Sequence, residues 1–186
     1  YRIDLGLRED EIWRQFDNTR SRNIRKAMKD QISIEVRSDK AFLDLVQASF
    51  RRQNMTPSWT GIAGGLVETF QGNSQSFVAL DRNGERIAAV FIVWDDKCAY
   101  YLLGGHSPET AHHGAMSYAM WEAIKFARGI SLRTFDFEGS QIPQIESFFR
   151  QFGGRLTPCY SIEYFSKKMR ILSLGRTLMK ELLHRP

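Results

Sequence analysis

The sequence predicts a mixed α/β fold of the α+β kind, with a central sheet flanked by helices and a meander of antiparallel strands followed by a β-α-β crossover. Three observations predict it. Two strand-like runs, from Ser76 to Asp81 and from Glu85 to Trp94, flank an Asn83-Gly84 step, which is a strong hairpin signal. A third run, from Cys98 to Leu103, follows after a turn at Asp95-Asp96. Apolar residues then recur at helical spacing before a further strand, so the order from residue 76 onward reads β-β-β-α-β-α-β-α.

Taken in order, a short strand is expected from Arg2 to Leu5 and a helix from Arg8 to Phe16, with Ile12, Trp13 and Phe16 inward. The next helix, from Ser21 to Lys29, has a basic stripe of Arg22, Arg25, Lys26 and Lys29 opposite an apolar stripe of Ile24, Ala27 and Met28. Alternation from Ile32 to Val36 predicts a strand. Phe42, Leu45, Val46, Ser49 and Phe50 mark a helix from Asp39 to Arg52. Pro57-Ser58-Trp59 opens another, which Gly72-Asn73 stops near Phe70. After the three meander strands, the third ending at Gly104-Gly105, a long helix from Glu109 to Arg128 buries Met116, Ala119, Met120, Ala123, Ile124 and Ala127. Gly129 caps it. A strand through Phe135 and Phe137, a short helix from Ile142 to Gln151, a strand from Arg155 to Phe165 and a helix carrying Ile171, Leu174, Leu178 and Leu182 complete the reading.

The chain has 186 residues, 42% hydrophobic and 25% charged, as expected of one well-filled globular domain. Its apolar runs are far shorter than the roughly 18 residues needed to cross a bilayer, and no signal peptide is visible, so no membrane insertion is expected. Two cysteines, Cys98 and Cys159, are too few for a disulfide framework, which suits a reducing cytoplasm. The net charge of +5, with a pI near 9.4, favours anionic partners such as phosphates, nucleotides or RNA. The chain opens on Tyr1 rather than methionine, so residues 1–186 are expected to be one domain at the C-terminal side of a longer protein with a further domain upstream.

The densest signal is Thr134-Phe135-Asp136-Phe137-Glu138-Gly139. Strand alternation puts Asp136 and Glu138 on one side, at a strand end beside a glycine opening. Such a pair suits a site edge, although facing solvent is the commoner fate of alternating acids on an edge strand.

Four stretches, in this order, resemble the GNAT fold and, within it, the FemABX and related acetyltransferase branch. They are Arg22-Asn23-Ile24-Arg25-Lys26-Ala27, Asn83-Gly84-Glu85-Arg86-Ile87-Ala88-Ala89, Tyr100-Tyr101-Leu102-Leu103-Gly104-Gly105, and Phe135-Asp136-Phe137-Glu138-Gly139 with Phe152-Gly153-Gly154. The resemblance implies an N-acyltransferase moving an acyl group to an amine acceptor. Simple members draw the group from acyl-CoA; the peptidoglycan-building branch draws it from aminoacyl-tRNA, which would make tRNA a partner. Members of the branch often carry two such domains in tandem. A catalytically silent binding domain is the third reading. Two departures stand out. Only Gly114-Ala115 echoes the family's pyrophosphate loop, and Phe149 stands where the FemABX branch commonly has a lysine, with Arg150 beside it.

Within that chemistry the protein must take a proton from the amine, steady an oxyanion and hold both substrates. Asp136 or Glu138 could take the proton, or, as a second candidate, His106. Backbone N–H groups at Leu103, Gly104 and Gly105 could serve the oxyanion. Gly114, Ala115 and Arg150 are the remaining candidates for the donor. Arg22, Arg25 and Lys26 could grip a phosphate of a nucleotide-linked acceptor or of RNA, or form the wet side of a helix. Tyr101 or Tyr160 could protonate a leaving thiolate. The spacing of His106, His112 and His113 is no recognised metal signature, and no metal is expected.

Overall fold

The hairpin at Asn83-Gly84 organises the sheet. Gly84 has φ 81°, and the Asp81 carboxylate accepts the N–H groups of Asn83 and Glu85 at 2.9 and 2.8 Å. This turn joins β3 (Ser74–Leu80) to β4 (Arg86–Trp94) in the computed structural model, which describes residues 1–52, 60–107, 112–139, 142–158, 160, 162 and 164. The remaining strands are β1 (Arg2–Asp4), β2 (Ser33–Arg37), β5 (Cys98–His106) and β6 (Thr134–Asp136). They form one sheet in the order β1-β6-β5-β4-β3-β2. All neighbours are antiparallel except β5 and β6, which run parallel through the crossover helix, so the sheet is mixed as expected.

The helices are α1 (Glu9–Arg14), α2 (Asn18–Lys29), α3 (Leu43–Arg52), α4 (Thr60–Thr69), α5 (Ala115–Gly129) and α6 (Pro143–Arg150). Along β4, side chains alternate between two cores. Val90 and Ile92 face α5, whose Ala119, Met120, Ala123, Ile124 and Ala127 are all buried. Ala89, Phe91 and Val93 face α3, where Phe42 stacks on Phe91 at 4.4 Å. Small residues on α5 let α2 lie close. Gly114 is where the two meet, since a Cβ there would fall 2.1 Å from the Asn23 carbonyl oxygen.

Several boundaries differ from the sequence expectation for physical reasons. α2 begins before Ser21 because the Asp17 carboxylate caps it, accepting the Arg20 N–H at 2.6 Å. α5 begins at Ala115, where the Gly114 N–H donates to His112 Nδ1 at 3.1 Å; residues 108–111 lie outside the described part. Gly104-Gly105 does not end β5, and both residues stay paired with β4 as far as His106 opposite Ala88. Met28 is 42% exposed rather than part of the apolar face. The strand expected from Arg155 to Phe165 is reduced to a single bridge between Arg155 and Arg2: the described residues beyond it, 156–158, 160, 162 and 164, lie in no strand, while Cys159 and the terminal helix fall outside the described residues.

Two irregularities position the site. Within the β4–β5 pairing, Phe91 opposes Leu103 and Ile92 opposes Tyr101, so Leu102 is an extra, bulged residue. β6 pairs with β5 only as far as Tyr100 opposite Asp136. The parallel seam therefore ends two residues before the bulge bends β5, and the two strands part from there.

Candidate active site

Beyond that parting lies a cleft of about 620 Å3. β5 supplies Tyr101, Gly104, Gly105 and His106 to its wall, and the start of α5 supplies Met116. α6 closes the far side with Ile145, Phe148 and Phe149. This wall is held by aromatic packing: Phe149 lies 5.4 Å from the Tyr101 ring and 5.2 Å from Phe137, which in turn meets Phe135 at 5.2 Å. The position where a lysine was expected from the family resemblance is thus an apolar, buried phenylalanine.

The expected glycine pair splits into two roles. A Cβ on Gly104 would project into the cleft, 2.2 Å from Tyr101 Oη and 2.4 Å from Met116 Cε. A Cβ on Gly105 would point to the opposite face, 2.2 Å from the Leu45 carbonyl oxygen, so Gly105 is where α3 packs against the sheet. Leu103 also faces α3. The His106 N–H donates to Ser49 Oγ at 3.0 Å, on the side of β5 away from β4. By strand alternation the Gly104 N–H points the same way, into the parting.

His106 stands at the end of β5 with its ring on the cleft and Nδ1 3.5 Å from an Arg52 guanidinium nitrogen. Burial, and then the Arg52 charge, hold its pKa below the usual histidine value, so the neutral imidazole is favoured at neutral pH. Burial pushes the Tyr101 hydroxyl up, which keeps it a proton donor; among the described residues it has no hydrogen-bond partner. Tyr160, the other tyrosine considered, is 82% exposed. His112 and His113 also line the cleft, but the His112 ring is tied between Asp30 Oδ2 at 3.0 Å and the Gly114 N–H. Among the described residues no group of three or more His, Cys, Asp or Glu could hold a metal.

The two acids do not form the expected pair. Glu138 lies past the end of β6 with φ 61°, so strand alternation stops before it, and neither acid lines the cleft. The Asp136 carboxylate instead receives the Arg2 Nε–H at 2.6 Å and the Glu138 N–H at 2.9 Å, tying β1 to the end of β6. Asp136→Asn is therefore expected to lower stability by about 1–2 kcal/mol in a denaturant melt, and Glu138→Gln to lower it far less. A melt unchanged by Asp136→Asn contradicts the structural role.

The basic stripe of α2 is exposed: Arg22 faces solvent, Lys26 pairs with Asp30 at 2.5 Å, and the Arg25 guanidinium lies 5.4 Å from the Trp13 ring centre. None of the three lines the cleft. Ala115 is buried among Ala27 and Ala88, and Arg150 is exposed beside Glu146 at 3.8 Å. The residue of α2 that does reach the cleft is Arg20, which the sequence reading passed over. Its only signal was a cation lying off the exposed stripe.

A family model described as "Acetyltransferase (GNAT) domain" matches residues 14–144. Among solved structures the chain is similar to FemX at 14% identity and TM-score 0.70, covering 83% of this chain and 58% of that one. It is similar to L-PGS from Bacillus licheniformis at 12% identity and TM-score 0.54, covering 83% and 55%. It is also similar to the aminoglycoside N-acetyltransferase AAC(6')-Iy in complex with CoA, at 14% identity and TM-score 0.52, covering 73% and 96%. At these identities the likeness is one of fold. The chain thus spans less than two thirds of FemX and of L-PGS. No curated protein sequence matches it.

Proposed function

Since the chain belongs to the acetyltransferase (GNAT) domain family, we propose that it is an N-acyltransferase moving an acyl group from acyl-CoA to an amine acceptor. The observation that carries this reading is the parting of β5 from β6 after Tyr100, with a cleft at its mouth. A thin donor arm can lie along the unpaired edge of β5 and hydrogen-bond to it as a further strand would. Gly104 leaves room for that arm, and the apolar wall at Phe149 suits an uncharged one.

In this reading the Gly104 N–H donates to the carbonyl oxygen of the thioester as it gains charge. His106 takes the proton of the attacking amine, and Tyr101 returns one to the departing thiolate. Collapse of the tetrahedral adduct breaks the carbon–sulfur bond and leaves an amide and a free thiol. Asp136 and Glu138 take no part in these steps.

The FemX likeness favours one second reading, in which the donor is an aminoacyl-tRNA. Titration calorimetry with acetyl-CoA separates the two, with one-to-one binding as the expected result. Binding of charged tRNA but not of acetyl-CoA transfers the assignment to the second reading. Binding of neither removes the transferase proposal and leaves a binding domain.

A further inference from the structure

Arg20 is only 4% exposed, yet its guanidinium has no carboxylate within ion-pair distance among the described residues. Buried arginines are ordinarily matched by an acid, because an unpaired charge removed from water is costly. Here the hydrogen-bond partners are neutral, and the nearby Asp17 carboxylate acts on the charge only from beyond ion-pair distance. Ser117 Oγ accepts from Nη1, Gln151 Oε1 accepts from Nη2 at 2.6 Å, and the Phe148 carbonyl lies 3.5 Å from Nη2. The rings of Phe148 and Phe152 flank the cation at 4.1 and 4.9 Å. The Nε–H is buried and unpartnered. These contacts fix the plane of the group without neutralising it. Burial brings its pKa down only to about 10, so the charge persists at neutral pH.

Among the described residues, the cleft that Arg20 floors carries no counter-charge either. Its described lining includes no Asp or Glu, while Arg52 adds a second cation at the rim. We infer that the cleft takes an acceptor bearing a carboxylate, which supplies the missing negative partner of Arg20. A carboxylate suits the place better than a phosphate. Few guanidinium N–H groups remain free, and the walls at Met116, Ile145, Phe148 and Phe149 are apolar, so a more strongly hydrated dianion would lose more on entering. The acceptor is then an amine with an acidic group elsewhere on the same molecule. Calling the ligand an acceptor rests on the transferase reading; the anion site itself does not.

The test needs no acyl donor. The protein is titrated with benzoate, benzamide and phenyl phosphate at neutral pH and constant ionic strength, with heat as one readout. The second readout is the nitrogen-15 resonance of the arginine side-chain N–H groups. Benzoate is expected to bind at least about tenfold more tightly than either analogue and to shift one exchange-protected arginine Nε–H. Arg20→Gln should abolish that preference. Because this variant removes buried contacts, the wild-type ligand series and its resonance shift are decisive by themselves. Equal binding of benzoate and benzamide, tighter binding of phenyl phosphate, no binding of any, or benzoate binding without the Nε–H shift each overturns the inference. Such an outcome leaves the transferase reading standing, whereas failure to bind either donor removes the transferase reading and leaves the anion site.

Discussion

Replacing His106 by Gln should lower turnover on the order of 10²- to 10⁴-fold, the range lost when a positioned general base is removed. The neutral ring is the active form, and burial with Arg52 keeps its pKa below the ordinary histidine value. The acid limb of the pH–rate profile should therefore fall below about pH 6.5 in the wild-type protein. Arg52→Gln removes a positive charge 3.5 Å from Nδ1, which makes protonation easier. The limb must then move to higher pH, with the rate well above it little changed. A His106→Gln protein that retains wild-type turnover, or a limb indifferent to Arg52, rules out this assignment.

The adjacent glycines should respond in opposite ways. In Gly105→Val the new side chain meets the helix backbone, 2.2 Å from Leu45 O, 2.4 Å from Leu45 C and 2.6 Å from Val46 N. Backbone inside a packed helix cannot yield cheaply, so α3 must lift from the sheet. The expected cost is about 3 kcal/mol or more, a fall in Tm of roughly 6–12 °C for a chain of this size. In Gly104→Ala the obstructing atoms are the ends of two side chains, Tyr101 Oη and Met116 Cε. Its Tm should hardly move, while binding of acetyl-CoA weakens. Thermal melts and donor calorimetry on both variants check the pair. Equal loss of stability in the two would mean that the two faces of β5 are not separated as described.

Much of the scaffold was legible because local signals agreed. The Asn83-Gly84 turn, the alternation along β4 and the 3.6-residue period of α5 each fixed an element without outside information. The site was less legible. Asp136 and Glu138 looked like a pair because alternation was extended two residues beyond where β6 ends. Gly104-Gly105 looked like a turn, since nothing local tells a glycine required by a helix packed against it from one required by a bend. Arg20 showed only as a cation off the exposed stripe; its meaning comes from Ser117 and Gln151, 97 and 131 residues away in the chain. His106 and Tyr101 were legible as candidates, but only the third dimension puts them beside one opening.

Leu102 has a consequence for the parity of β5. A regular strand running from Tyr101 to Gly105 would turn Gly104 toward α3 and Gly105 toward α5. The surplus residue slips the phase by one, so that each glycine meets the neighbour that needs it absent. Omitting Leu102 would leave every later side chain on its present face and straighten only the ribbon. Its retention thus bends β5 just past the point where pairing with β6 stops.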